Sequence, residues 1–216
     1  KFSQSIASAF PEIVEDIAAK AAVANPDDIN DIVSGMLLGS PAKAADIALS
    51  IIDVVPESTA EVTVSMATTA PDLATEIASN IVSTKPELVS EIASAMFVAV
   101  PDQVEDIAST LISLDAEYAV DIVSGALMLE GVAPTVIETV LSSNPEATAS
   151  VVIEVINLES VNENYNATLI NEIANINADV AMKFSDTVST ISPSIAGEMV
   201  GNLALINPDL SADISI

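Results

Sequence analysis

The chain has 216 residues, 50% of them hydrophobic, and sets 32 Asp and Glu against 5 Lys and Arg, for a formal net charge of -27. It has no His, Cys, Trp or Arg, which excludes imidazole bases, Ser-His-Asp triads, thiolate nucleophiles, disulfides, His/Cys metal centres and bidentate phosphate clamps. The acidity also argues against a nucleic-acid partner, whose phosphates are met by Lys and Arg, and against an anionic membrane surface.

Residues 1–10, KFSQSIASAF, read as the later part of a repeat row, because SIASAF matches the pattern of SEIASAMF at 90–97. From there prolines stand at 11, 26, 41, 56, 71, 86 and 101, so that proline returns at every fifteenth position through six successive intervals. The regular rows fill 11–130, with Ala116 in the proline place of the eighth. The segment 131–177 is less regular: a row one residue short at 131–144, a row from Pro145, and a block at 160–177 with three extra residues. Regular rows resume over 178–216, the last of them partial, PDLSADISI. The expectation is a single helical-repeat domain over 1–216.

With the proline as position 1, apolar residues recur at positions 4, 7, 8, 11 and 12, the stripe of a helix with one buried face. In the first row these are Val14, Ile17, Ala18, Ala21 and Ala22. Proline suits the first helical position, where no N–H is needed. Asn25, Ser40, Asp115, Asn144, Ser192 and Asn207 stand where side-chain N-caps are expected. Each row therefore predicts a helix of roughly 10–12 residues and a tight turn. Such helices are marginal alone and must stack. The fold expected is all-α: an α-solenoid of about thirteen short antiparallel helices, two rows to a layer. A coil with more than two rows per turn fits the same pattern, since no superperiod of two rows is evident. Small residues near position 10, such as Gly35, Ala95 and Gly125, point to close helix approach.

Four features are candidates for function. Position 6 is acidic in eight consecutive rows: Asp16, Asp31, Asp46, Glu61, Glu76, Glu91, Asp106 and Asp121. Such a ladder offers oxygen ligands for Ca²⁺. It also fits half-exposed carboxylates that accept hydrogen bonds from a neighbouring helix N-terminus, the reading favoured where no EF-hand loop is found. The chain ends form the second feature, since rows cut midway leave uncapped layers that invite head-to-tail contact. The third is Asn166-Ala167-Thr168, a glycosylation sequon expected on a protruding loop. The fourth is the methionine set, Met36, Met66, Met96, Met128, Met182 and Met199, expected in the core, the first three of them at position 11 in every second row.

No catalytic set is present, and with aromatics at 3% a carboxylate-only glycosidase site has no platforms to work with, so no enzyme activity is expected. The sequence favours a secreted or surface structural protein that polymerises with copies of itself into a filament or matrix. Lys1 stands at the start in place of Met, which fits a removed leader. The alternative is a monomeric solenoid that binds a protein or glycan on its concave face. No cofactor is implied beyond Ca²⁺, and no membrane span is expected.

Overall fold

The computed structural model describes residues 1–129, 131–157 and 165–213. Among these the chain is helical, with no strand. Fifteen α-helices follow in order: α1 Phe2–Ala9, α2 Val14–Ala24, α3 Ile29–Gly39, α4 Ala44–Val54, α5 Thr59–Thr69, α6 Ala74–Thr84, α7 Val89–Ala99, α8 Val104–Leu114, α9 Ala119–Ala126, α10 Ala133–Ser143, α11 Thr148–Asn157, α12 Tyr165–Ile176, α13 Ala178–Ile191, α14 Pro193–Ile206 and α15 Pro208–Asp213. The thirteen full rows are α2 to α14; α1 and α15 are the partial rows that flank them. The helices group into two compact units, Lys1–Leu114 and Asp115–Ile216.

A single residue makes each regular corner. Asn25, Ser40, Val55, Ala70, Lys85 and Val100 share φ between -131 and -145 and ψ between 67 and 72. The following proline drives them out of the helical region. Their N–H groups still close the helix behind, as in Asn25 N to Ala21 O at 2.9 Å, and their carbonyls open the next turn, as in Asp28 N to Asn25 O at 3.1 Å. That second bond joins positions three apart, so the Pro-initiated turn is 3-10 before the helix relaxes to α.

This corner corrects the expected capping. Asn25 donates its Nδ2 to Ala21 O, Ser40 donates to Ala7 O, and Asn144 donates to Ala116 O; none of the three caps its own helix. Ser192 makes no side-chain cap either. At Asn25, Ser40 and Asn144 the corner carbonyl takes the N–H three residues on, a donor the side chain was expected to meet. Asp115 and Asn207 do cap, through Glu117 N and Leu210 N. Asp115 precedes Ala116 instead of proline, and its backbone is fully extended at φ -155, ψ 128. Where the ring is missing, a side chain fixes the turn.

In the first unit α1, α3, α5 and α7 pack one upon the next, and α2, α4, α6 and α8 form a parallel stack beside them. The second unit repeats the scheme, α9 with α11 and α13, α10 with α12 and α14. Two rows therefore make one layer, and the coil with more rows per turn is ruled out. The helices α3 and α4 are crossed rather than strictly antiparallel: the chain bends by 118° at the corner between them.

A superperiod of two rows exists after all. At position 10, α3, α5, α7 and α9 bury Gly35, Ser65, Ala95 and Gly125, whereas α2, α4, α6 and α8 carry the exposed or half-exposed Lys20, Ser50, Asn80 and Thr110. Within the first unit, the stack of α3, α5 and α7 thus buries a wider face than that of α2, α4, α6 and α8. Position 10 packs against the helix one layer back: Ser65 Oγ lies 3.2 Å from Ser34 Oγ and donates to Asn30 O. The shortened row at 131–144 departs from the corner rule, and the turn before it needs Gly131 at φ 76, a conformation open to glycine.

The core is aliphatic, with Met36, Met66, Met96 and Met199 0–2% exposed in it as expected, whereas Met128 and Met182, expected there too, are exposed because they lie outside the buried stripe of their rows. Buried hydroxyls turn back onto their own helices, for example Thr63 to Thr59 O at 2.8 Å and Ser185 to Ala181 O at 2.8 Å. Among the described residues no single helix is long and apolar enough to cross a membrane.

Candidate functional site

Positions 7 and 11 form the seam where the two stacks meet. Along the first unit Ile47, Ile51, Ile77, Ile81, Ile107 and Leu111 are 0–1% exposed there. In the first layer the same positions are uncovered. Phe2 is 80% exposed, and Ile6, Ile17 and Ala21 are half-buried. Together with Ile32 and Met36 behind them they line a slot of about 330 Å³. Ile17 and Ala21, expected inside, are the two residues of the first row's stripe left partly open among the described residues.

Positions 8 and 12 behave in the opposite sense. Ala18, Ala22, Ala48 and Ile52 are covered by the helix that follows in the stack. In α14, within the second unit, Val200 is half-buried, Ala204 is exposed and the adjoining Leu205 is 85% exposed. Each row thus has a seam face turned back and a second apolar face turned forward. This polarity comes from the row pattern itself.

The carboxylate ladder is exposed along its whole length. Glu61 accepts from Asn30 Nδ2 at 2.7 Å, and Glu91 accepts from Ala60 N, a first-turn donor of α5, at 3.2 Å. These two rungs tie a helix to the one a layer behind, as the hydrogen-bonding reading expects. Asp46 takes Lys43 at 3.1 Å. Asp16, Asp31, Glu76, Asp106 and Asp121 make no such bond, and among the described residues no three acidic side chains converge into a metal-sized group.

Lysines supply cross-layer clamps that the sequence pattern did not single out. Lys43 reaches Glu15 of α2 at 2.8 Å, and Lys85 reaches Asp53 of α4 at 2.6 Å. Hydrogen bonding to their carboxylates holds both ammonium groups above the usual lysine value. In the second unit Ser124 donates to Glu154 at 2.6 Å and Tyr165 donates to Leu127 O at 3.1 Å. Burial, with a smaller contribution from the Glu172 charge, pushes the Tyr165 phenol above its ordinary value. Lys43–Glu15, Lys85–Asp53 and Ser124–Glu154 join residues about two rows apart and Tyr165–Leu127 spans three, so a reading of one row at a time could not pair them.

Asn166 is not on a loop. It stands in the first turn of α12, half-buried, with its Oδ1 enclosed and unpartnered. Helix formation carries 165–176 of the irregular block inward, since Ala167, Leu169, Ile170 and Ile173 are buried. Asn162 and Asn164, in the same expected loop, lie outside the described residues.

No protein family, no curated protein and no solved structure matches the chain.

Proposed function

We propose that the chain is a non-enzymatic structural subunit that joins copies of itself head to tail into an extracellular filament or matrix. The observation that carries this reading is the uncovered seam of the first layer, where Phe2, Ile6, Ile17 and Ala21 occupy positions that later rows bury. A row of the same pattern is the shape that completes such a slot. The forward face of α14, with Val200, Ala204 and Leu205, supplies the complementary end. Unlike faces at the two ends make a heterologous contact, which propagates instead of closing. Burial of these side chains supplies the drive, and salt or divalent cations outside the cell would screen the repulsion of a net charge of -27.

The test uses two end-blocked variants, Ile17→Asp and Leu205→Asp, both at accessible positions. Wild type should form concentration-dependent filaments by negative-stain microscopy. Each variant alone should remain monomeric, and an equimolar mixture should give dimers in sedimentation, because one open end of each kind is left. Wild type that stays monomeric at high concentration, or variants that polymerise normally, would overturn the reading.

A further inference from the structure

We propose that the cleft between α4 and α6 is a docking site for a lysine-bearing segment of a partner polypeptide. The cleft encloses about 500 Å³. Its walls combine apolar surface from Ala45, Leu49 and Leu73 with the carboxylates of Asp46 and Glu76. An ammonium on a flexible alkyl stem matches that combination, since the stem covers apolar surface while the head reaches charge.

The repeat shows what belongs in this space. One layer earlier, between α2 and α4, Lys43 at position 3 lays its ammonium between Glu15 and Asp46. One layer on, position 3 is Leu73 and the counterpart of Glu15 is Ala45. The lysine is replaced, yet the position-6 carboxylate remains: Glu76 has no hydrogen-bond or ion-pair partner among the described residues. Beyond the cleft, Lys85 pins the C-terminal end of α6 to Asp53 of α4. The two helices pack together and are tied at one end, with the cleft beside their contact.

Charge complementarity selects the occupant. With 5 Lys and Arg to 32 Asp and Glu, and Lys43 and Lys85 already engaged, a second copy of this chain is a poor source of lysine. A basic partner is drawn by the field of the whole molecule and registers its side chain in the layer where leucine has replaced the clamping lysine. This site is independent of head-to-tail assembly.

The experiment is calorimetric titration of the full chain with an N-acetylated tetralysine peptide amide, and with the same peptide acetylated on its side chains. Glu76→Gln should weaken binding by about fivefold, and Leu73→Lys, which sets an ammonium of the chain's own beside Glu76, should weaken it at least as much. Glu57→Gln, an exposed charge on α5's entry turn, should leave binding within about twofold. Circular dichroism checks that each variant is folded. Three results would overturn the site: no binding by tetralysine, equal binding of the acetylated peptide, or equal loss from Glu57→Gln and Glu76→Gln.

Discussion

Gly39 lies so close to α1 that a methyl group on its Cα would stand 2.5 Å from both Ala7 Cβ and the Gln4 carbonyl oxygen. One turn earlier, a Cβ on Gly35 would meet Ser3 Cβ at 2.5 Å. Ser8 donates to Gly39 O and Ser40 to Ala7 O across the same contact. The paired glycines are what allow the first helix to seat on α3. Gly39→Ala should therefore cost about 1–3 kcal/mol through overpacking and unprotect the amides of α1 in hydrogen exchange. Gly197→Ala, with open space around it, should instead be neutral or stabilise by about 0.5–1 kcal/mol. Equal protection of α1 in the Gly39→Ala variant and wild type would refute the close-packing account.

Ile92 tests the register of the seam. It is 0% exposed and its neighbour Glu91 points outward to Ala60 N. Ile92→Asp should cost more than about 4 kcal/mol by burying an unpaired charge. Glu91→Gln should cost under about 1 kcal/mol, because its bond is exposed and the amide can still accept. Urea denaturation separates the two, and comparable midpoints would show the helix to be rotated.

The corners make a sharper prediction about capping. Asp115→Ala removes the side-chain acceptor that replaces a missing proline, at a cost of about 1 kcal/mol. Asn25→Ala should change stability by no more than about 0.3 kcal/mol, since the corner carbonyl of Asn25 does the work that its side chain was expected to do. A larger loss at Asn25 than at Asp115 in thermal melts would reverse the assignment.

Alkaline pH should loosen the fold. The folded-state values of Lys43, Lys85 and the Tyr165 phenol are all raised. For each, the folded state holds its proton more tightly than the unfolded chain. Their contribution is therefore complete below the ordinary values of 10.0 for tyrosine and 10.5 for lysine, and drains away as pH climbs through the folded values. The melting temperature should fall above about pH 10, and Lys43→Met should fall less steeply over that range. A flat profile through the lysine range would show that the clamps hold nothing.

The row, its helix and its buried stripe were legible because proline spacing and apolar periodicity are local signals. Stack membership was not, although its trace was present: Met36, Met66 and Met96 recur in every second row, and position 10 alternates between small residues and larger or more exposed ones. That alternation takes on meaning only once Ser65 is seen against Ser34. Capping at Asn25, Ser40 and Asn144 differs from the expectation because their backbone carbonyls take the N–H three residues on, whereas Asn207 caps with its side chain. The acidic ladder was legible as a pattern but not as a set of different fates. Glu61 and Glu91 bind backward, Asp46 holds Lys43, and Glu76 faces a cleft created by what stands at positions 45 and 73. Differences of that kind appear only when rows two apart are laid side by side in space.

The alternation of stacks gives the array a parity. Within the first unit, loss of one row would move each downstream helix into the opposite stack, bringing the bulk of Asn80 or Thr110 to places where Ser65 or Ala95 now lies against its neighbour. Loss of two rows would leave each helix in its own lane. Single-residue corners have no slack to absorb the difference. Such a chain can lengthen or shorten cleanly only by rows taken in pairs, so its size is quantised by the layer and not by the visible repeat.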